Sequence, residues 1–185
     1  MKKELDRSLR DLQTDYVDIL TPGTMKNDQF TGKNLEEKWD LFYKGINDYV
    51  GDGTNPLKAV AVVAITDYMS VDNYFRVIKE NRLPSCIKLV LPNVEMRIQP
   101  FAEKAPVNIH FIFNPSIMEN IVERFFAKLS ISYASTVFNG TKAELQRLGR
   151  TMEPTLNDNS AYKTGIEMFV PSLEKVQEIF RNDAE

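Results

Sequence analysis

The chain has one cysteine, one histidine and one tryptophan among 185 residues. A single thiol, Cys86, excludes an intramolecular disulfide framework and a cysteine-cluster zinc site. Beside Ile87 in an apolar stretch, it reads as a buried structural thiol rather than a reactive one. A single imidazole, His110, leaves any multi-metal centre short of the ligands it needs. No charge of one sign dominates. With 23 Lys and Arg against 26 Asp and Glu, the net charge of −3 gives no electrostatic reason to expect nucleic acid as a direct partner. No apolar run reaches the length of a membrane span, and Met1 to Leu12 is charged throughout where a signal peptide would be apolar. No membrane partner and a cytoplasmic location are therefore expected. There is no Gly-x-x-x-x-Gly-Lys-Ser/Thr loop, no internal repeat and no low-complexity tract.

What is present is a globular balance, 43% hydrophobic and 26% charged residues, in a length that suits a single domain over residues 1–185. Leu5, Leu9 and Leu12 give a short amphipathic lead-in, and Tyr16 to Leu20 reads as a first strand. Thr21 to Lys33 has no period and reads as a long loop, a kind that is uncommon without a function. Asn34 can cap a helix over 35–50 with Leu35, Trp39, Phe42, Tyr43, Ile46 and Val50 on one face.

Ala59–Ile65, Cys86–Leu91 and Val107–Phe113 are apolar runs with the look of buried strands. Between them Ser70 caps a helix to about Asn81, with Val71, Tyr74, Phe75 and Ile78 inward. Asn114-Pro115 opens a helix to about Leu129 with a stripe of Ile117, Ile121, Val122, Phe125 and Leu129. Thr141 and Glu144 fit a capping box for a helix closed by Gly149. Residues 151–165 are polar and read as loop, Met168–Val170 as a last strand, and Ser172 as the cap of a helix to Arg181. Strands alternating with helices mean an α/β fold with mainly parallel strands, five or six by this reading.

Four short stretches sit at the ends of the apolar runs, where α/β folds place their chemistry: Tyr16 to Pro22, Ala64 to Tyr68, Pro92 to Glu95 and Asn108 to His110. Each polar residue in them has a structural reading beside the functional one. His110, alternating with Ile109 and Phe111, reads on its own more as a hydrogen-bonded core histidine than as a ligand. Glu95 can pair with Arg97 on the same strand face or hold a cation. Asp67 can cap the loop into the Ser70 helix or join a site, and Asp18 could help ligate one hard cation with Glu95 and His110. Lys26, with Thr21, Thr24 and Asn27, could bind an anion, though turn chemistry explains all four.

In their order these stretches resemble the PHP (polymerase and histidinol phosphatase) phosphoesterase family. Asp18-Ile19-Leu20-Thr21 stands where that family has His-x-His-Thr, and Thr66-Asp67-Tyr68 where it has Thr-Asp-His. Asn93-Val94-Glu95 keeps the acidic residue of a Gly-x-Glu, and His110 keeps a later histidine, while the closing Asp-x-His has no counterpart. The longer stretches 21–30, 66–74 and 92–98 are similar to a narrower group in which a PHP-like domain precedes an AAA-like or SMC-like ATPase, sometimes linked to bacterial defence. The resemblance covers about residues 12–150, with 151–185 as a C-terminal extension, and the chain as a fragment of a longer protein would fit it.

It implies a PHP-like distorted (β/α) barrel, incomplete or truncated here, with degenerate metal motifs. It implies a non-catalytic or weakly active module joined to an ATPase domain or subunit. The alternative it leaves is a metal-dependent phosphoesterase or nuclease, with Asp67 and Lys26 as catalytic groups. In that alternative Asp18, Glu95 and His110 would hold one divalent metal, Mg²⁺ or Mn²⁺; the module reading needs none.

Overall fold

Asn34 starts the first helix as its sequence predicts. In the computed structural model, which describes residues 19–20, 34–51, 54–55, 60–102 and 105–182, its side chain accepts from the Glu37 N–H at 2.9 Å. Glu37 returns the bond to the Asn34 N–H at 2.8 Å, a complete capping box. This helix, α1 (Leu35–Val50), buries Tyr43, Ile46 and Val50. It ends at Gly51, whose φ of 64° suits a residue without a Cβ.

The chain divides into two compact units, Met1–Asn93 and Val94–Glu185. In the first, strand β1 (Ile19–Leu20) runs parallel to β2 (Val62–Tyr68), with Ile19 opposite Val62 and Leu20 opposite Val63. Val63, Ala64 and Ile65 are buried in succession, as a strand covered on both faces requires. Helix α2 (Asp72–Glu80) follows. Its buried side is Val71, Tyr74 and Val77, whereas Phe75 and Ile78, expected inward, are 43% and 48% exposed. The stripe is rotated by about one helical position because Val77 at 1% exposure, not Ile78, takes the core place.

α1 and α2 share a network of rings and charges. Arg76 stands 4.7 Å over the Trp39 ring and pairs with Glu36 at 2.5 Å and Glu80 at 2.6 Å. Arg82 stands 4.4 Å over the Tyr43 ring and pairs with Asp40 at 2.7 Å. Burial pushes the Tyr43 hydroxyl up, and the Glu80 carboxylate facing it adds to that shift. Burial also opposes ionisation of Glu80, but the Tyr43 hydroxyl, Arg76 and Arg82 outweigh it and hold the carboxyl below its ordinary range. With Glu36 and Asp40 largely in water, the network orders the two helices more than it stabilises them.

Strand β3 (Leu89–Ala102) begins in the first unit and continues into the second, where β4 (Ala105–Ile112) lies beside it. Strands this close in sequence run antiparallel. The four strands are ordered β1-β2-β3-β4, and β5 (Ser130–Tyr133) with β6 (Thr136–Asn139) forms a separate antiparallel pair. The fold is mixed α/β, as expected. Among the described residues no barrel closes; β1 and β2 pair in parallel, and Gln99 makes an isolated parallel bridge with Ser172. The expected run from Cys86 begins only at Leu89, leaving Cys86 half-buried.

The helix expected over 115–129 is two tighter and looser pieces. A 3-10 turn, Pro115–Asn120, opens under the Asn114 side chain, which accepts from the Ser116 N–H at 3.0 Å. A π turn, Val122–Phe126, follows, with the Ala127 N–H reaching back to the Val122 carbonyl at 2.7 Å. The extra residue in that turn brings Phe125, Phe126 and Leu129 inward and leaves Val122 48% exposed. Phe113 and Phe125 meet edge to face at 4.9 Å, and Phe180 of the last helix stacks on Phe111 at 5.8 Å.

Ala134 and Ser135, between β5 and β6, have φ of 46° and 61°. A two-residue hairpin loop needs positive φ at both places, which costs an L-residue about 1–2 kcal/mol each. Replacing the pair by Asn-Gly is expected to stabilise the second unit by about 1–2 kcal/mol, measured as the urea midpoint at unchanged slope.

Helix α3 (Lys142–Met152) starts at Thr141, but the capping box does not form: Thr141 donates instead to Asn139 Oδ1 at 2.7 Å. Nor does Gly149 close it, since the helix runs three residues further. Of the polar stretch expected as loop, 153–157 is one, but from Asp158 on it is helix α4 (Asp158–Met168), capped by Asn157, whose side chain accepts from the Ser160 N–H at 2.9 Å. The strand expected over 168–170 is absent: α4 occupies Met168, and Phe169 is its cap. Ser172 caps α5 (Leu173–Asn182) as expected, accepting from the Lys175 N–H at 3.2 Å.

Candidate functional site

β2 ends in Asp67 and Tyr68, and the chain turns at Met69, whose φ of 54° is a left-handed value that a non-glycine residue holds at a cost. The turn folds the Asp67 carboxylate back onto the start of α2. Val71, at the cap position, has no side-chain oxygen to offer. Two residues before it supply one instead. Ser70 Oγ accepts from the Asp72 N–H at 3.0 Å, and Asp67 Oδ2 accepts from the Asn73 N–H at 2.7 Å. Asp67 Oδ1 accepts from the Asn73 side-chain amide, and the Tyr74 N–H also faces the carboxylate. The helix's orphan donors and its positive end are thus met by an acid from the preceding strand.

Asp67 is 7% exposed. Burial raises its pKa from 3.8 to about 6; the Asp72 charge adds to the rise, and the Asn73 and Tyr74 donors only partly offset it. A carboxyl in that range can hold or release a proton near neutral pH, the property a general acid or base needs. Both its oxygens, however, are already engaged by α2.

The second and third motifs meet on neighbouring strands. Asn93, 2% exposed, donates its side-chain N–H to Thr66 Oγ1 at 2.8 Å. Neither Asn93 nor Asn73 stands out in the sequence as a site residue. The sequence signal for them is position alone: Asn93 lies two residues before Glu95 in the third motif, and Asn73 lies inside the longer stretch 66–74.

In the second unit Val94, Met96 and Ile98 of β3 are buried, while Glu95 is half-buried and Arg97 and Gln99 are exposed. On β4, Phe111 is buried and Asn108, His110 and Ile112 are exposed. Asn108 donates to Glu95 Oε1 at 3.1 Å, so Glu95 and His110 lie on one open face of the two strands. Asp18 and Lys26 lie outside the described residues. Asp67 belongs to the first unit, and Glu95 and His110 to the second.

Among the described residues no group of three or more His, Cys, Asp or Glu is placed to hold a metal ion. The donors among the described residues do not by themselves fit a multi-metal centre. No helix among the described residues is long and apolar enough to cross a membrane. No family model matches the chain, and no curated protein or solved structure is significantly similar to it.

Proposed function

We propose that the chain is a degenerate PHP-like domain, part of a distorted (β/α) barrel, that serves as a structural or regulatory module of an ATPase. On the sequence resemblance, that ATPase belongs to a nucleic-acid-handling or defence system. The observation that carries the non-catalytic reading is Asp67. The carboxylate standing in the family's Thr-Asp-His position gives both oxygens to the start of α2, so it is a helix cap before it is a ligand. Asp18 and Leu20 in place of both histidines of the first motif, and Tyr68 in place of the histidine of the second, support the same reading.

The purified chain, incubated with Mn²⁺ or Mg²⁺ and either p-nitrophenyl phosphate or bis-p-nitrophenyl phosphate, is expected to release no nitrophenol above the metal-only rate. Turnover that disappears in Glu95→Ala and His110→Ala would overturn it.

A second reading is favoured by the shared open face of Glu95 and His110. On the sequence resemblance it is a reduced phosphoesterase or nuclease in which Asp18, Glu95 and His110 would be the ligands of one Mg²⁺ or Mn²⁺ and Asp67 and Lys26 the catalytic groups. It predicts about one Mn²⁺ per chain after dialysis, by elemental analysis, and none in His110→Ala.

A further inference from the structure

Helix α3 holds the β5–β6 hairpin at two points. At the inner one, Arg147 donates to the Val137 carbonyl at 2.9 Å and lies 4.1 Å over the Phe138 ring. At the outer one, the Tyr133 hydroxyl donates to Met152 Sδ at 2.9 Å. Tyr133 is the residue before the Ala134–Ser135 loop and is 37% exposed, while Met152, the last residue of α3, is 54% exposed. Met69, Met96 and Met118 are at 2%, 0% and 4% exposure, and Met168 is half-buried. A thioether is a weak acceptor, so the outer point is held by a bond that one chemical change would strengthen.

We propose that Met152 is a site of reversible oxidation by a hydroperoxide, and that Tyr133 reads the product. The sulfur lone pair attacks the terminal peroxide oxygen. The S–O bond forms as the O–O bond breaks, and the leaving alkoxide, or hydroxide from hydrogen peroxide, takes the proton that the transferred oxygen carried and departs as alcohol or water. The thioether is oxidised by two electrons to the sulfoxide, and the peroxide is reduced. At a buried methionine this polar oxygen would disrupt the core. At Met152 it stands in water beside a phenol that already points to the sulfur, and it offers that phenol a full acceptor. Oxidation therefore tightens the hairpin on α3, and a methionine sulfoxide reductase with a thiol reductant loosens it again.

The test treats the whole chain with hydrogen peroxide and follows each methionine by peptide mass, and the 131–138 amides by hydrogen exchange. Met152 is expected to oxidise about tenfold faster than Met96 and Met118. In the oxidised wild type the hairpin amides are expected to exchange about fivefold more slowly, the size of one added hydrogen bond. Reductase treatment should restore the original rate, and Tyr133→Phe, equally oxidised, should show no slowing. Oxidation of Met96 or Met118 at the rate of Met152, or hairpin exchange that is unchanged or faster in the oxidised wild type, would overturn the proposal. So would equal slowing in Tyr133→Phe, which would show that the phenol has no part in it.

Discussion

Gly165→Ala is expected to lower the stability of the second unit by about 3 kcal/mol or more, a fall of roughly 12–24 °C in its midpoint by circular dichroism. Helices α3 and α4 approach so closely that a methyl at Gly165 would meet the Leu145 carbonyl oxygen and stand 2.6 Å from its carbon. At Gly149 it would meet the Ala161 carbonyl and stand 2.8 Å from that carbon. Both obstacles are helix backbone, which cannot swing aside as a side chain can, so the helices must separate and expose Leu145 and Leu148, each at 0% exposure. Gly51→Ala is the control. Nothing lies within 4 Å of a Cβ built there, so only its φ of 64° resists, and a loss of about 1 kcal/mol is expected. If Gly165→Ala costs no more than Gly51→Ala, the close crossing of α3 and α4 is wrong.

That crossing explains why α4 is hard to read in the sequence. Its buried residues, Ala161 and Gly165, are small, and its other residues include Asp158, Asn159, Ser160, Lys163 and Thr164. Periodicity detects large apolar side chains, whereas this contact is made by their absence. The same blindness turns Gly149 into an apparent helix end. By contrast α1 is legible in its bounds, because its cap and broad aromatic face are local signals, although Leu35, expected on that face, is 62% exposed. The π turn at Val122–Phe126 keeps Ile121, Phe125 and Leu129 inside but takes Val122 out of the stripe, since its wider turn changes the angle between successive side chains. At the site, the sequence marks Asp67 as chemically notable but leaves open whether it caps or catalyses. The answer depends on Met69, whose left-handed turn no residue type at that place announces.

Asp67 also sets a pH dependence that is the reverse of an ion-paired carboxylate's. Its folded pKa of about 6 lies above its ordinary 3.8, so between those values the folded chain holds a proton that the unfolded chain has released. The stability it contributes is complete below about pH 4 and is lost as pH rises through 6, by about 3 kcal/mol for such a gap. Glu80 and Glu144, held below their ordinary range, act the other way, but their contribution is lost only as pH falls beneath 4.5. In the window from pH 4.5 to 6.5, urea midpoints of the wild type are therefore expected to fall with rising pH. Asp67→Asn should flatten that slope and be at least as stable as the wild type at pH 7, because its amide oxygen still accepts from the Asn73 N–H without a buried charge. Asp67→Ala, which leaves the start of α2 without its acceptor, should lose about 1–2 kcal/mol against Asp67→Asn. A wild type that gains stability from pH 5 to 7, with Asp67→Asn weaker than it at pH 7, would mean that the α2 N–H groups outweigh burial. The carboxylate would then be a permanent anion, fit to attract a cation and unfit to carry a proton.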